Sequence, residues 1–586
     1  MKNNNKKILK LTTLVFSLFF SGHFVSAEAL NLPKDAQGWT IFTPSADTRI
    51  MYVAADGNDS TAQIYSSTSQ EVGSDPFKPS GVIQPYATYA AAYLHARAGY
   101  PDWILFKRGD TFYQAINHQE QNGRSTSEPF LIGSYGSTGT PPLLKVGAST
   151  AGISISKTSP STPSTAQFIS ISGLTLYAYT RNPSDPEYIG EAGASGIDII
   201  TTGTANKIKN VLVEGCKFMY FANNSVQGGG TEFVDDVTIR KSVFLDNYPS
   251  GTERAQGLYG YRLNNFILEE NIFDHNGWYS VSGSGGIGQG SIFDHNTYFG
   301  YSTNTTFRNN IFSRPSNMNN KFTSEVLTEN LTVENNLYID GHIGIGIETN
   351  YLTVDDRLKN ITIKENVMTN LGRTNITGQN IAWYMQVCGW HGGVISNNLL
   401  MNQANPLITD TALGFQVLGN NEYVTINNNI VHDLQGGSIF KLYQTDSDIQ
   451  ITNNKISLPN GGSKTFSIDT NVSGYSLSAN KYYTPTTTSF YFNTSNQAFS
   501  AWQSYSGDSS TFEQTTFPDP TRLIETYMSS IGETSTIDAF VEKVRSQDRF
   551  NWDTRLTADT VNDYLKAGFV SDDTTPPAAP TGLSVL

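Results

Sequence analysis

Short segments in which apolar and polar residues alternate recur along most of the chain. The pattern is apolar, polar, apolar, polar, polar, Asn, any residue, apolar, and it repeats between residues 211 and 456. Alternation with a period of two is typical of a β-strand with one buried face. The segments that follow the pattern are Val211–Cys216, Val237–Ser242, Phe266–Asn271, Thr305–Asn310, Leu331–Asn336, Ile361–Asn366, Gly393–Asn398, Val424–Asn429 and Ile449–Asn454.

The spacing of these segments predicts a solenoid. Their sixth positions lie 25 to 39 residues apart, whereas a propeller blade needs four strands in roughly 40 residues or more and leucine-rich repeats need Leu at fixed positions. We therefore predict an all-β fold, a right-handed parallel β-helix of roughly ten or more coils. The Asn column is interpreted as structural, because Asn tolerates the left-handed conformation at a bend and can bond to the next coil.

The composition argues against several classes of protein. Charged residues are 15% of the chain, against about 25% in an average globular protein, and the formal net charge is −14. Aromatic residues reach 12%, which can bury ample surface and argues against disorder. A long coiled coil would need more Ala, Glu, Lys and Leu. The acidic balance disfavours nucleic acid as a partner.

The two ends of the chain differ from the repeat region. Residues 1–27 have a basic start, an apolar core and a small-residue cleavage pattern at Val25–Ala27, which predicts a secretory signal peptide and an extracellular or periplasmic protein. The apolar run is too short for a membrane span, which needs about 20 residues. Thr521–Met528, Thr536–Gln547 and Ala558–Ala567 have helical periodicity. We divide the chain into a β-helix domain (28–515), a helical segment (516–571) and a Pro- and Thr-rich linker stub (572–586).

The two cysteines are predicted to be unpaired. Cys216 and Cys388 fall six coils apart, or roughly 29 Å at about 4.8 Å per coil, which is beyond the reach of a disulfide. We expect two buried free thiols.

The repeat region resembles the pectate-lyase-like superfamily of secreted β-helix proteins, over residues ~45–515. Segments Ile104–Asp110 and Asp274–Trp278 are also similar to bacterial exported β-helix proteins. The resemblance implies an enzyme that cuts acidic polysaccharides, either by β-elimination at a uronate or by hydrolysis. The fold hosts several activities, so the site must decide between them.

Residues at the same distance from the Asn column are predicted to stack on successive coils, about 4.8 Å apart. Three coils, roughly residues 254–342, then collect the titratable side chains. Twelve residues before the column lie Tyr259 and Tyr298; fifteen before it lie Gln256, His295 and Lys321; four after it lie Asp246, His275, Arg314 and Asp340.

These residues can supply a β-elimination, which needs a group that neutralises the uronate carboxylate, a base and an acid. We expect Arg314 to be the neutralising group, Lys321 or His295 the base, and Tyr298 the acid or a second base. Repulsion between stacked His295 and Lys321 is expected to lower the pKa of each. Predicted substrate-binding residues are Tyr259, Gln256, Arg254, His275, His342, Trp278, Trp383 and Tyr384.

Polysaccharide lyase family 6 pairs a lysine with an arginine one coil later, beside calcium-binding carboxylates. Here Lys321 would be that lysine, but His342 stands one coil on, and Arg314–Ser316 occupies the place of the acidic ligands. This departure favours a metal-independent site. We expect no required cofactor, although Asp and Asn turns leave calcium open.

Two alternatives remain. Paired carboxylates among Asp274, Asp294, Asp340 and Glu325 would support a glycoside hydrolase. A non-catalytic carbohydrate-binding or adhesion protein would use the same solenoid without a convergent base. The leading hypothesis is a secreted, monomeric lyase that acts on an acidic polysaccharide.

Overall fold

The computed structural model describes residues 28–570, except 119–120, 148–149, 158–163, 191–192, 204, 252–253, 280–287, 325, 350–357, 403–411, 444 and 469–470. The predicted signal peptide and linker stub therefore lie outside the described residues, as does Glu325. No helix in the described part of the chain is both long and apolar enough to cross a membrane.

Three parallel sheets wind around one long core, as the repeat predicted, and form a right-handed parallel β-helix. Each full coil gives one strand to sheet A, then one to sheet B and one to sheet C. Strands Gln256–Glu269 and His295–Arg308 cross from sheet A into sheet B without a break. Short strands Ile64–Tyr65 and Ser495–Gln497 pair antiparallel at the two ends.

The remaining strands are listed by sheet. Sheet A contains Ile116–Asn117, Ile153–Lys157, Ser195–Thr201, Asn223–Gly228, Met318–Ser324, Ile343–Thr349, Ala382–Cys388, Ala412–Val417, Ser438–Leu442, Lys464–Ile468 and Phe490–Phe492. Sheet B contains Ile50–Val53, Trp103–Lys107, Phe130–Tyr135, Thr165–Ser172, Lys207–Glu214, Val234–Arg240, Thr328–Glu334, Leu358–Lys364, Trp390–Ser396, Glu422–Asn427, Ile449–Thr452 and Tyr475–Ser478. Sheet C contains Thr111–Phe112, Leu143–Lys145, Thr175–Tyr177, Lys217–Met219, Val243–Leu245, Ile272–Asp274, Ile311–Ser313, Leu337–Ile339, Val367–Thr369, Leu399–Met401, Ile430–His432, Lys455–Ser457, Lys481–Tyr483 and Thr511–Phe512.

The sequence repeats are the strands of sheet B, and their register is the one that the Asn alignment predicts. Val211 pairs with Val237, which pairs with Phe266, and the same register continues through Thr305 and Leu331. The apolar positions of the repeat point inward because successive strand residues alternate between the two faces. The repeat therefore defines the core.

The Asn column forms a continuous hydrogen-bonded ladder at the corner between sheets B and C. Each side-chain oxygen accepts from the backbone N–H and the side-chain amide of the Asn one coil earlier, at 2.9 to 3.0 Å for Asn310 and Asn336. The ladder runs from Asn271 through Asn366 and Asn454 to Asn480. The left-handed residue is the one before the column, such as Asn335 (φ 50°), so the column serves hydrogen bonding and not the bend itself.

Aromatic rings stack inside sheet C. Phe244 lies 4.6 Å from Phe273 with an interplanar angle of 2°, and Phe312 lies 5.2 Å further along the same stack. Cys216 and Cys388 are also interior residues, 1% and 2% exposed, and neither forms a disulfide. The prediction of two buried free thiols is confirmed.

The outer face of sheet B carries a ladder of alternating charge. The ladder residues, in register on successive coils, are Glu214, Arg240, Glu269, Arg308, Glu334 and Lys364. Ion pairs join Glu214 to Arg240 at 2.6 Å, Glu269 to Arg308 at 2.9 Å, and Glu334 to Lys364 at 2.8 Å. Acidic residues on this face are thus neutralised by their own neighbours.

The helices are α1 (Tyr89–Tyr93), α2 (Phe499–Ser506), α3 (Ile524–Ser530), α4 (Ile537–Arg545) and α5 (Ala558–Lys566), with single 3₁₀ turns at Tyr179–Arg181 and Thr554–Leu556. Helices α3 to α5 lie where helical periodicity predicted them. Their apolar residues, such as Phe540 and Val544, pack with outward residues of sheet C such as Ile272 and Leu337. This face of the solenoid is therefore covered, which leaves sheets A and B to carry a site.

Candidate active site

An outward-facing column of sheet A brings together three predicted site residues. Tyr259 pairs in register with Tyr298, and Tyr298 pairs with Lys321 on the next coil. The prediction that Lys321 stacks on His295 is wrong, because Lys321 pairs with Tyr298, three residues further along the strand. The reason is that the A–B corner differs in length between coils. In two coils one strand runs through the corner, Gln256–Glu269 and His295–Arg308, but in the next coil Met318–Ser324 and Thr328–Glu334 are separate strands. Residues at the same distance from the Asn column therefore do not align in sheet A of that coil.

Tyr298 lies at the centre of this group. Its ring centroid is 5.7 Å from that of Tyr259, with the rings nearly perpendicular. The Lys321 Nζ lies 5.4 Å from the centre of the Tyr298 ring, and Glu348 Oε1 lies 3.8 Å from the same Nζ. The side chains of Tyr259, Tyr298 and Lys321 are only partly buried. The face thus presents a phenol and an ammonium group side by side.

His295 supports Tyr298 from below. The side chain is fully buried, and its ring meets the Tyr298 ring edge-on at 5.9 Å. Its Nδ1 accepts the Met318 backbone N–H at 3.3 Å, which assigns the proton of the neutral ring to Nε2. Burial is the main cause that holds the pKa of His295 well below its ordinary value, and the charges of Lys321 and Arg254 add to it. Because the His295 ring is buried, it contacts Tyr298 from inside the coil and does not reach the outer face, which contradicts its expected role as a base.

Arg314 does not belong to this group. It occupies the corner between sheets C and A in a left-handed conformation (φ 41°), and its Nε and Nη2 donate to Asp274 at 2.8 and 2.6 Å. Arg545 of helix α4 binds the same carboxylate at 3.0 Å. Burial acts to lower the pKa of Arg314, but the hydrogen bonds and charge of Asp274, with the charges of Glu542 and Asp246, outweigh it and raise the pKa. The expected role as carboxylate neutraliser is therefore wrong, because the guanidinium is committed to a structural ion pair beneath the C-terminal helices.

Arg254 is an arginine whose charge reaches His295. It is exposed, and its guanidinium lies 4.5 Å from the centre of the Phe293 ring. Its charge is one of the causes of the lowered His295 pKa, which places it within electrostatic range of that ring. Arg254 and Lys321 together make this part of the face cationic.

Three predicted binding residues are buried parts of the scaffold. Gln256 is 3% exposed and joins the Phe293 carbonyl to the His295 N–H, both at 2.9 Å. His342 is 1% exposed, lies 3.0 Å from the Thr377 hydroxyl, and burial lowers its pKa to about 4. Tyr384 is 1% exposed, and its hydroxyl donates to backbone carbonyls inside the coil. These three predictions are wrong because inward and outward positions alternate along a strand.

The other predicted binding residues lie away from Tyr298 or pack against neighbours. His275 Nδ1 lies 2.7 Å from Asp246 Oδ1, and its ring packs on Trp278 at 4.0 Å. Trp278 donates its indole N–H to the Arg314 carbonyl at 3.0 Å, so both residues belong to the C–A corner. Trp383 packs with the outer apolar cluster of Met318, Ile343 and Ile381. None of the three faces the column of Tyr259, Tyr298 and Lys321.

The carboxylates considered for hydrolysis are engaged in the scaffold. Asp274 is paired with Arg314, Asp294 accepts from the Ala255 N–H at 2.8 Å, and Asp340 accepts from the Gly341 and Thr374 N–H groups. Burial raises the pKa of Asp294 and of Asp340 to about 6. Within the described ranges, no group of three or more His, Cys, Asp or Glu side chains is arranged to hold a metal ion.

Sequence reasoning missed four residues beside Tyr259. Phe233, Tyr261, Arg262 and Tyr301 meet at the corner between sheets A and B. A signal was present, because Tyr259-Gly-Tyr261-Arg262 and Tyr298-Phe-Gly-Tyr301 each carry a second tyrosine within three residues of the matched pair Tyr259 and Tyr298. We call these four side chains the corner platform.

By sequence, the chain matches no known protein family and no curated protein. Solved structures are similar to it at low identity. A lacto-N-biosidase of glycoside hydrolase family 136 from Eubacterium ramulus is 12% identical, with a TM-score of 0.35, over 79% of this chain and 67% of that chain. The pectate lyase Pel9A is 14% identical, with a TM-score of 0.32, over 75% of this chain and 80% of that chain.

A mannuronic acid-specific family 6 polysaccharide lyase from human gut microbiota is 11% identical, with a TM-score of 0.41, over 77% of this chain and 94% of that chain. The fold of this chain is a parallel β-helix. At these identities the likeness concerns the path of the backbone and assigns no chemistry to this chain.

Proposed function

We propose that the protein is a polysaccharide lyase that cleaves a uronate-containing acidic polysaccharide, alginate-like or similar, by β-elimination. The observation that carries this proposal is the register pair of Tyr298 and Lys321 on the outer face of sheet A, with Nζ 5.4 Å from the ring centre. A phenol beside an ammonium group, with the charge of Arg254 acting on the His295 ring that contacts Tyr298, supplies the proton-transfer group and the positive charge that elimination requires.

The uronate carboxylate is proposed to bind at Lys321 and Arg254. Removing the C5 proton places negative charge on this carboxylate, and cations positioned there stabilise the charge as it develops. Glu348, 3.8 Å from the Lys321 ammonium, holds that side chain on the face. Arg254 thereby takes the role that the sequence assigned to Arg314.

Tyr298 is proposed to carry the proton. Its phenolate oxygen takes the proton from C5, the C4–O bond breaks, and a C4–C5 double bond forms in the uronate. The same hydroxyl returns the proton to the leaving oxygen, so the step is balanced without another reactant. The buried His295 ring lies against the edge of Tyr298 and keeps the phenol pointed outward, while Tyr259 packs on its other side.

The experiment is an assay on alginate, pectate and glycosaminoglycans that follows the ultraviolet absorbance of an unsaturated uronate. The wild-type protein is expected to generate this absorbance on one of these polymers. Tyr298→Phe and Lys321→Ala should each lower kcat by about 100-fold or more, the usual contribution of a proton-transfer or charge-stabilising group.

The chain offers a matched control pair on the same sheet. Lys464 Nζ lies 4.6 Å from the centre of the Tyr491 ring, and Tyr491 is in the same outward column as Tyr298, seven coils or roughly 34 Å away. Tyr491→Phe and Lys464→Ala should retain full activity. Full activity in Tyr298→Phe and Lys321→Ala would instead show that the site is elsewhere.

A second measurement on the same reactions, of new reducing ends, separates the alternatives. New reducing ends without the uronate absorbance would identify a hydrolase and contradict the lyase proposal. Neither signal on any of the three polymer classes would favour a carbohydrate-binding protein, with Tyr298 and Lys321 as contact residues only.

A further inference from the structure

The corner platform is a contiguous aromatic surface that extends the column of Tyr259 and Tyr298. The rings of Tyr259 and Tyr261 are nearly parallel, at 8°, with centroids 6.5 Å apart. Tyr301 lies 6.3 Å from Tyr261, and Phe233 lies 5.1 Å from Tyr301. A path of aromatic rings therefore leads from the proposed reacting centre to the edge of sheet A.

Arg262 adds a positive charge to this surface. Its guanidinium carbon lies 5.7 Å from the Tyr261 ring centre and 5.0 Å from the Tyr301 ring centre. Within the part of the chain that the structure describes, no carboxylate pairs with it. The charge is thus held over two rings and stays available to an anionic ligand.

The local backbone is built to present these side chains. Tyr261 pairs in register with Gly300, and a Cβ on Gly300 would lie 3.3 Å from the Tyr261 ring, so glycine leaves room for the ring. Arg262 and Tyr301 have left-handed backbones, with φ values of 53° and 45°. Left-handed residues recur at the corners of the solenoid, and the position of Tyr301 is taken three coils later by Gly389 (φ 70°).

All four platform side chains are partly exposed, and none belongs to the main core. The apolar C–H face of a sugar ring packs on a tyrosine, and the carboxylate of a uronate pairs with an arginine.

We propose that the corner platform is a binding subsite for the uronate unit next to the one that is cleaved. The sugar ring lies on Tyr261 and Tyr301, and its carboxylate pairs with Arg262. This proposal rests on the proposed function in one respect, which is the position of the cleaved sugar unit at Tyr298. The binding of a uronate to the platform depends only on the platform residues.

The test is affinity electrophoresis of the mature protein in gels that contain sodium alginate or pectate, followed by kinetics on the polymer that is bound. Tyr261→Ala and Tyr301→Ala should each weaken retardation about tenfold, the loss expected for one aromatic contact. Both should raise KM and leave kcat unchanged. Tyr261→Phe and Tyr301→Phe keep the ring and should behave as wild type, which also shows that the fold tolerates the site being changed.

Arg262→Gln should weaken binding mainly at low ionic strength, because salt screens its ion pair with the carboxylate. Tyr423→Ala is the matched control, since Tyr423 is 59% exposed and packs edge-on against His391 on sheet B. It should not change retardation in either gel.

The outcomes distinguish this inference from the lyase proposal. Retardation that is lost in Tyr261→Ala, without any uronate absorbance from the wild type, would support the platform and overturn the lyase activity. A Tyr261→Ala/Tyr301→Ala double variant that is retarded like the wild type would overturn the platform, whatever the activity. Wild-type protein that neither alginate nor pectate retards would overturn it as well.

Discussion

At the scale of the residue, asparagine has two separate tasks at the corner between sheets B and C. The residue before the column provides the left-handed bend, and it is Asn in several coils but Glu365 or Ala479 in others. The column Asn provides the hydrogen bonds, and its buried amide joins three coils. A bend tolerates substitution, whereas a buried amide leaves polar groups without partners when it is removed.

Asn336→Ala should lower the free energy of unfolding by about 3 kcal/mol, because the Asn310 N–H and the Phe307 carbonyl lose their buried partner. Urea unfolding measures this difference. Asn460→Ala is the control, since Asn460 is exposed and its loss should cost less than about 0.5 kcal/mol. Equal stability of the two variants would contradict the structural role of the ladder.

Residue type alone did not say which side of a strand a functional group faces. Tyr298 and Tyr384 are both tyrosines of sheet A, yet one faces outward and the other donates its hydroxyl inside the coil. His295 shows the same difficulty, because its place next to Tyr298 was predicted and its complete burial was not. Position along the strand decides this, and the corners shift that position by one or more residues.

At the scale of the element, helices α3 to α5 act as a cover for sheet C. Phe540 is fully buried among outward residues of that sheet, and Arg545 binds Asp246 at 2.5 Å and Asp274 at 3.0 Å. Thr536 caps helix α4 by accepting the Ala539 N–H at 3.1 Å. The cover explains why Arg314, which was expected in the active site, lies instead in an ion pair between sheet and helix.

Phe540→Ala should lower the free energy of unfolding by about 3–5 kcal/mol, the cost of removing a large buried side chain. Thermal and urea unfolding should agree on the loss. Leu94→Ala is the control because Leu94 is 82% exposed. The proposed lyase activity should persist under native conditions, since Phe540 of helix α4 packs on sheet C whereas Tyr298 lies on sheet A. Loss of that activity in a folded Phe540→Ala variant would contradict this separation.

At the scale of the whole molecule, buried titratable groups set the response to pH. Burial lowers the pKa of His118 and of His342 to about 4 from an ordinary 6.5. As the pH falls, these two histidines are protonated in the unfolded chain before they are protonated in the folded protein. The stability that the neutral rings contribute is therefore complete above pH 6.5 and is lost as the pH falls towards 4. Asp294 and Asp340, with pKa values raised to about 6, act in the opposite sense and regain stability as they become protonated.

His342→Gln isolates one of these contributions. Between pH 7 and pH 5 the wild type should lose about 2 kcal/mol more stability than the variant, because His342 must stay neutral in the fold while the unfolded chain is protonated. Urea unfolding at the two pH values measures the difference. His95→Gln is the control, since His95 is exposed and should keep the wild-type response. An unchanged response in His342→Gln would contradict the neutral buried ring.

The structure also shows how part of the net charge of −14 is distributed over the molecule. On sheet B, acidic residues such as Glu214, Glu269 and Glu334 are paired in register with basic ones, so they do not repel a distant polyanion strongly. The proposed substrate meets Lys321, Arg254 and Arg262 on another face. Local arrangement, and not the sum, decides which ligand the surface attracts.

The sequence by itself determined the solenoid, the register of sheet B, the Asn ladder and the unpaired thiols, because each follows from a period that adjacent coils must share. It also placed Tyr259 beside Tyr298. Only the tertiary structure decided that Lys321 joins this pair, that Arg314 is covered by helix α4, and that Tyr261, Arg262 and Tyr301 form a surface. Corner length varies from coil to coil and the C-terminal helices return over the solenoid, so these contacts depend on distances in space that no local spacing encodes.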